Sequence, residues 1–232
     1  MISFSTEVTS SQISSDNPLY QRTLKAYHLV AEHVQGKTLE IGCGEGYGVP
    51  IYKPKTTSLA LLDKSKMSLV KLKKVYNDCE VIHTKVPPAK DLESHSFDSI
   101  ISFQVIEHIK DADLFVREIH RLLKPGGKAF LTTPNREKSV ARNPWHYKEF
   151  NYDEMEALIK NTFSKYSIMG IEGNQKTSEY YARNKKSVES ILRYDVLKLH
   201  DILPSSVLKI PYEVFNRLNR KSLMKKNNGL VS

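Results

Sequence analysis

The 232-residue chain is 40% hydrophobic and 26% charged, ordinary proportions that allow a sizeable core and exclude wholesale disorder. Only Cys43 and Cys79 are present, without the spacing of a zinc site or a disulfide framework, so no metal and a reducing compartment are expected. The formal net charge of +9 is unevenly placed: Asn174 to Ser232 holds 12 Lys or Arg against 5 Asp or Glu, and the first 173 residues are nearly balanced, so any contact with an anionic partner belongs to the tail.

Residues 1–18 are expected to be flexible. Met1 to Asp16 is rich in Ser, Thr and Gln and lacks the basic and apolar regions of a secretory signal. No apolar run approaches the roughly 20 residues that span a bilayer, so the expected location is the cytoplasm. Leu19 to Val34 reads as a helix, with Tyr20, Leu24, Tyr27, Val30 and Val34 in helical register and Gly36 as its stop. Thr38 to Ile41 and Ser58 to Leu62 are strand-sized apolar runs with a short helix between them. Ser65 to Tyr76 sets Met67, Leu69, Val70, Leu72 and Val75 on a helical stripe, and Glu80 to His83 reads as a third strand.

Phe97 to Phe103 is the fourth strand, Ala112 to Leu123 a helix and Lys128 to Thr133 a fifth strand, with Pro125, Gly126 and Gly127 at the turn. Tyr152 to Thr162 is expected as a helix and Tyr166 to Ile171 as a further strand. The alternation predicts an α/β fold with a doubly wound, mostly parallel, Rossmann-like sheet over residues 19–173. Residues 174–232 read as a basic helical C-terminal extension, broken at Pro204, with an apolar stripe at Val207, Ile210, Val214, Phe215 and Leu218.

The first strand runs directly into Gly42-Cys43-Gly44-Glu45-Gly46-Tyr47-Gly48. A dinucleotide fingerprint would need its third glycine where Tyr47 stands, which argues against NAD. Asp63 follows the second strand, where an acid can accept hydrogen bonds from both ribose hydroxyls of a nucleoside. Taken singly, the loop is a tight turn and Asp63 a helix cap; spaced this way after consecutive strands, they suit a nucleoside cofactor.

The spacing Glu40-x-Gly42-x-Gly44-x-Gly46, with Leu61-Leu62-Asp63-Lys64-Ser65, resembles class I S-adenosylmethionine-dependent methyltransferases. Ser96 to Ile109, Leu122 to Lys128 and Leu131 to Asn135 are similar to later motifs of the branch that includes ubiquinone and menaquinone biosynthesis enzymes, the methyltransferase type 11 family. The resemblance implies S-adenosyl-L-methionine as cofactor and S-adenosyl-L-homocysteine as product. It places Glu40 before the methionine ammonium, the loop residues Gly42, Cys43, Gly44, Tyr47 and Gly48 beneath the methionine moiety, Asp63 and Lys64 at the ribose, and Gln104 and Val105 along the cofactor. Relatives carry an acid for the adenine after the third strand. Here the segment is Thr84-Lys85-Val86-Pro87-Pro88, so the backbone of Lys85 and Val86 is expected to serve.

Methyl transfer from a sulfonium is a displacement whose reagent is already activated, so a general base is needed only when the acceptor must lose a proton. The candidates are His108, Glu107 beside it, and His146. Tyr20 and Tyr27, on one face of a first helix that in such enzymes closes over the cofactor, and Trp145 with His146, as a substrate wall, are candidate substrate-site residues; the tyrosines read more readily as core, and the Trp145 loop equally as packing. The expected acceptor is a small molecule at an O, N or C atom, and no nucleic-acid partner is expected. A membrane-surface lipid or quinone methyltransferase, with peripheral contact through the basic tail, and a cofactor-binding module without catalysis are the alternatives.

Overall fold

The computed structural model describes residues 17–195 and 198–225. Most of the expected flexible start, and Lys226 at the end of the basic stretch, lie outside them, while Asn17 and Pro18 already belong to helix α1 (Asn17–Ala31). The chain divides into two compact units, one of Leu24–Glu137 with Tyr147–Met169, the other of residues up to Thr23, Lys138–His146 and Gly170 onward. The segment 138–146 therefore groups with the C-terminal helices rather than with the sheet that surrounds it in sequence.

The larger unit is built on five strands, β1 (Gly36–Ile41), β2 (Thr56–Asp63), β3 (Glu80–His83), β4 (Phe97–Phe103) and β5 (Leu123–Thr132), in the order β3-β2-β1-β4-β5. Every pairing is parallel. Helices α2 (Val49–Tyr52), α3 (Lys66–Val75), α4 (Ala112–Leu122) and α5 (Tyr152–Lys160) lie between or after the strands. Because helices cover both faces of such a sheet, its central strands are buried over residues 38–41, 59–63 and 99–103. Leu39, Ile41, Ala60, Leu62 and Ile100 pack with Phe115, Val116, Ile119 and Leu122 of α4 in one core cluster.

Caps set the helix starts. Ser65 accepts from the Ser68 amide at 3.3 Å and Asp111 from the Leu114 amide at 2.9 Å. Asn151 and Glu154 exchange bonds at α5 in a capping box. On α3 only Leu69 and Leu72 of the expected stripe are buried, and Met67, Val70 and Val75 face outward.

Residues 166–171 form no strand, against expectation. Tyr166 and Met169 are exposed, so the apolar run has no face to bury, and its backbone finds no ladder at a sheet edge. The Pro125-Gly126-Gly127 turn lies inside β5 rather than before it. Phe97 pairs with Leu123, the register then shifts, and Ser99 pairs with Lys128, as a bulge allows.

The smaller unit contains α6 (Gln175–Leu192), α7 (Leu199–Ile202) and α8 (Ser205–Lys225). The break at Pro204 is as expected, while Pro211 sits inside α8. Asn219 ties α8 to α6, accepting from Ser187 Oγ at 2.6 Å and donating to Asn184 Oδ1 at 2.8 Å.

Candidate functional site

In a doubly wound sheet, ligands bind beyond the carboxyl ends of the strands where the order reverses, here between β1 and β4. The glycine loop leaves β1 at this point. Gly42 has φ +78°, and a Cβ there would stand 2.3 Å from Val105 Cγ2, on the segment leaving β4. Only glycine permits both the turn and the approach. The Gly42 and Cys43 amides bond the Leu62 carbonyl at 2.8 and 3.2 Å, fixing the loop to the end of β2.

Glu40, in β1, is 1% exposed. Its two carboxylate oxygens accept from the hydroxyls of Tyr27 and Tyr52, the latter at 2.5 Å. Tyr27 stacks on Tyr52 with ring centroids 5.9 Å apart and tilts against Phe103 at 4.6 Å. Gly48 lies against the same ring: a Cβ there would meet Tyr27 atoms at 2.3 Å. Tyr27 is thus a buried support beneath the loop, not a wall open to substrate, and its neighbour Tyr47 meets it edge-on at 6.1 Å.

Burial pushes the Glu40 carboxyl up to about 7, although both tyrosine hydroxyls favour its charged form. Burial, with Glu40 beside them, holds both phenols well above their ordinary range. Burial also pushes the Cys43 thiol up, so it stays protonated and is no nucleophile.

Asp63 ends β2 opposite His83, the last residue of β3. Its Oδ2 accepts from the Gly44 amide at 2.8 Å and its Oδ1 from the Ser65 amide at 2.7 Å. One carboxylate therefore joins the glycine loop to the start of α3, and each oxygen keeps a lone pair for a further donor. Lys64 is exposed and its carbonyl lies 3.0 Å from His83 Nε2. Lys85 and Val86 follow directly after β3. The segment from Ala89 to Ser94 is held from α4: Glu118 accepts from the Ala89 amide at 2.8 Å, and Arg121 donates to the Ala89 and Leu92 carbonyls at 3.1 and 2.9 Å.

At the end of β4, Gln104 adopts φ +56°, a conformation costly for a side-chain-bearing residue and common at ligand sites. Its amide donates to the Thr132 carbonyl at 2.9 Å and its Nε2 to Thr132 Oγ1 at 3.1 Å. Glu107 is 1% exposed and accepts from Thr133 Oγ1 at 3.1 Å, while its carbonyl accepts from the Tyr147 amide at 2.8 Å. His108 closes the same single helical turn and is half-buried. A depression of about 710 Å³ between the starts of α4 and α5 is lined by Lys110, Asp111, Lys148, Phe150 and Glu154 among others. Neither the glycine loop nor Asp63 lines it.

The other sequence candidates lie in the smaller unit. Tyr20 is on the first turns of α1. Trp145 donates from Nε1 to Glu213 Oε1 at 3.0 Å and carries Lys209 over its ring at 3.8 Å. His146 Nε2 lies 2.9 Å from Asn143 Nδ2. Sequence reasoning missed Tyr52 and Thr133 as partners of the two buried acids. Both were visible as residues just past the loop and just past β5, but only folding brings them to Glu40 and Glu107.

The arrangement offers an acid with spare acceptor capacity, a buried carboxylate, and backbone cleared of side chains where the chain must pass close. Residues 39–131 match the methyltransferase domain family. A protein of Mycolicibacterium smegmatis named a probable S-adenosylmethionine-dependent methyltransferase is 29% identical over 189 residues, 78% of this chain and 73% of its own. A ubiquinone biosynthesis O-methyltransferase of Xanthomonas oryzae is 27% identical over 54% of this chain and 61% of its own.

The crystal structure of Burkholderia thailandensis 1,6-didemethyltoxoflavin-N1-methyltransferase, with S-adenosylhomocysteine bound, shares the fold. It has a TM-score of 0.51 and 15% identity, over 66% of this chain and 68% of that one. Over residues 39–131 the chain therefore carries a methyltransferase domain, similar to that of S-adenosylmethionine-dependent methyltransferases.

Proposed function

We propose that Asp63 binds the ribose diol, Glu40 the methionine ammonium, the backbone of Lys85 and Val86 the adenine edge, and Gln104 and Val105 the flank of the adenosine. The observation that carries this reading is the bond from the Gly44 amide to Asp63 Oδ2, 2.8 Å long. It locks the ribose acid to the methionine loop at the point where the strand order reverses, so the two halves of one cofactor are recognised by one rigid unit. Glu40 is suited to a cation because a positive group is the one partner that removes the cost of its buried charge.

When bound, the cofactor supplies a methyl group already activated by its sulfonium, and the chain's task is alignment. We assign the acceptor to the carboxyl ends of β4 and β5. There Glu107 acts as a positioning residue: bonded to Thr133 and to the Tyr147 amide, it fixes the turn that presents His108. His108 takes the proton when the acceptor is a hydroxyl, and His146 is the second candidate. The names of two matched proteins, an O-methyltransferase of ubiquinone biosynthesis and an N-methyltransferase of didemethyltoxoflavin, support a small-molecule acceptor. A nucleic-acid base is disfavoured, since Phe103-Gln104-Val105-Ile106 stands where base N-methyltransferases carry an Asn/Asp-Pro-Pro-aromatic run, and Cys43 is held protonated. Two buried free thiols suit a reducing cytoplasm, and no helix among the described residues is long and apolar enough to cross a membrane.

The test is isothermal titration with S-adenosylmethionine, S-adenosylhomocysteine and NAD, on the wild type and on Asp63→Ala. Binding of the first two alone, weakened in the variant, is expected. NAD binding, or a folded Asp63→Ala protein with unchanged affinity, overturns the assignment.

A further inference from the structure

Helix α8 is turned the unusual way round. A surface helix normally buries its apolar stripe and shows water its polar side. Here Val207, Ile210, Pro211, Val214, Phe215 and Leu218 fall within one arc of the helix, at the three- and four-residue spacing that defines a face, and all six are exposed. Ile210 is 75% exposed and Leu218 61%. The polar side chains point the other way and make the helix's contacts within its unit: Glu213 accepts from Trp145, Lys209 covers the Trp145 ring, and Asn219 bonds Ser187 and Asn184. Asn216 Nδ2 is buried on that side too. An apolar face of this extent, displayed rather than packed, marks an interaction surface.

We propose that this face of α8 docks on an anionic lipid bilayer, the helix lying in the plane of the interface with its apolar arc in the headgroup and acyl boundary. Charge decides the occupant. From Asn174 onward the chain carries 12 Lys or Arg against 5 Asp or Glu. On α8 itself Lys221 is exposed one turn beyond Leu218, within the apolar arc. A second copy of the chain would bring like charges together around the contact. A nucleic acid would meet Ile, Val and Leu where it needs cations. An anionic headgroup layer satisfies both the apolar arc with its Lys221 and the net positive charge of the segment. With no helix among the described residues able to cross a membrane, the contact is peripheral. The docking is independent of the methyl-transfer assignment.

The test is co-sedimentation of the full-length protein with vesicles of phosphatidylcholine alone and of phosphatidylcholine mixed with phosphatidylglycerol, at low and high salt. Emission of the single Trp145 serves as a second readout, since it contacts α8 through Glu213 and Lys209. The wild type is expected to pellet with the anionic vesicles, less so as salt rises, and to change its emission as it does. Ile210→Asp combined with Leu218→Asp should weaken binding at least about tenfold, while circular dichroism and cofactor affinity, which do not depend on these exposed positions, stay unchanged. A wild type that ignores anionic vesicles, binds neutral ones equally, or is matched by the double variant overturns the proposal. So does a salt-resistant dimer that the double variant dissociates, which would assign the face to a second copy.

Discussion

Replacing Glu40 with Gln tests how the buried carboxyl is maintained. A group that titrates near 7 when folded and near the usual 4.5 when unfolded makes the native state bind the extra proton between those two values. Stability then falls as pH rises from about 4.5 to 7 and levels off above that. At about 1.4 kcal/mol per pH unit, the loss is roughly 3 kcal/mol. The amide of Glu40→Gln carries no titrating proton, yet it can still accept from one of Tyr27 and Tyr52. Urea unfolding of both proteins at half-unit steps from pH 5 to 8 should show the wild type losing roughly 2–3 kcal/mol more than the variant across that window. Parallel curves would refute the buried, proton-holding carboxyl. The same titration predicts that wild-type affinity for S-adenosylmethionine rises with pH through about 7, because a cation favours the ionised acid and expels its proton, whereas Glu40→Gln should bind weakly at every pH.

Asp63→Ala should weaken S-adenosylmethionine by roughly 1.5–3 kcal/mol in calorimetry, the scale for hydrogen bonds to a charged group. Gly48→Ala places a Cβ 2.3 Å from the Tyr27 ring and should cost roughly 1–3 kcal/mol of stability by overpacking, read as a lowered urea midpoint. Gln104→Gly relieves the φ +56° backbone and should leave stability equal or up to about 1 kcal/mol higher while cofactor affinity falls, since a looser rim is less preorganised. Arg121→Ala removes the braces on the Ala89 and Leu92 carbonyls, and hydrogen exchange over residues 84–96 should quicken ahead of global unfolding.

The class of fold was legible in the chain alone, because periodicity survives without tertiary contacts. β3 and β4 fall where alternation and apolar runs place them, and the glycine loop with Asp63 carries the resemblance that implies the cofactor. Three things were decided only by tertiary structure. Residues 166–171 have strand composition yet pair with neither β3 nor β5, the two edges of the sheet, since pairing is a property of the sheet, not of the run. Tyr27 reads from its helix as either core or substrate wall, and only the approach of α1 to β1 sets its hydroxyl on Glu40, thirteen residues away in sequence. The apolar stripe of α8 was visible as a stripe, but spacing defines a face without saying which way it points. Polar contacts of Asn219 and Glu213 inside the unit turn it outward, and the opposite side of the helix is then left to the surroundings.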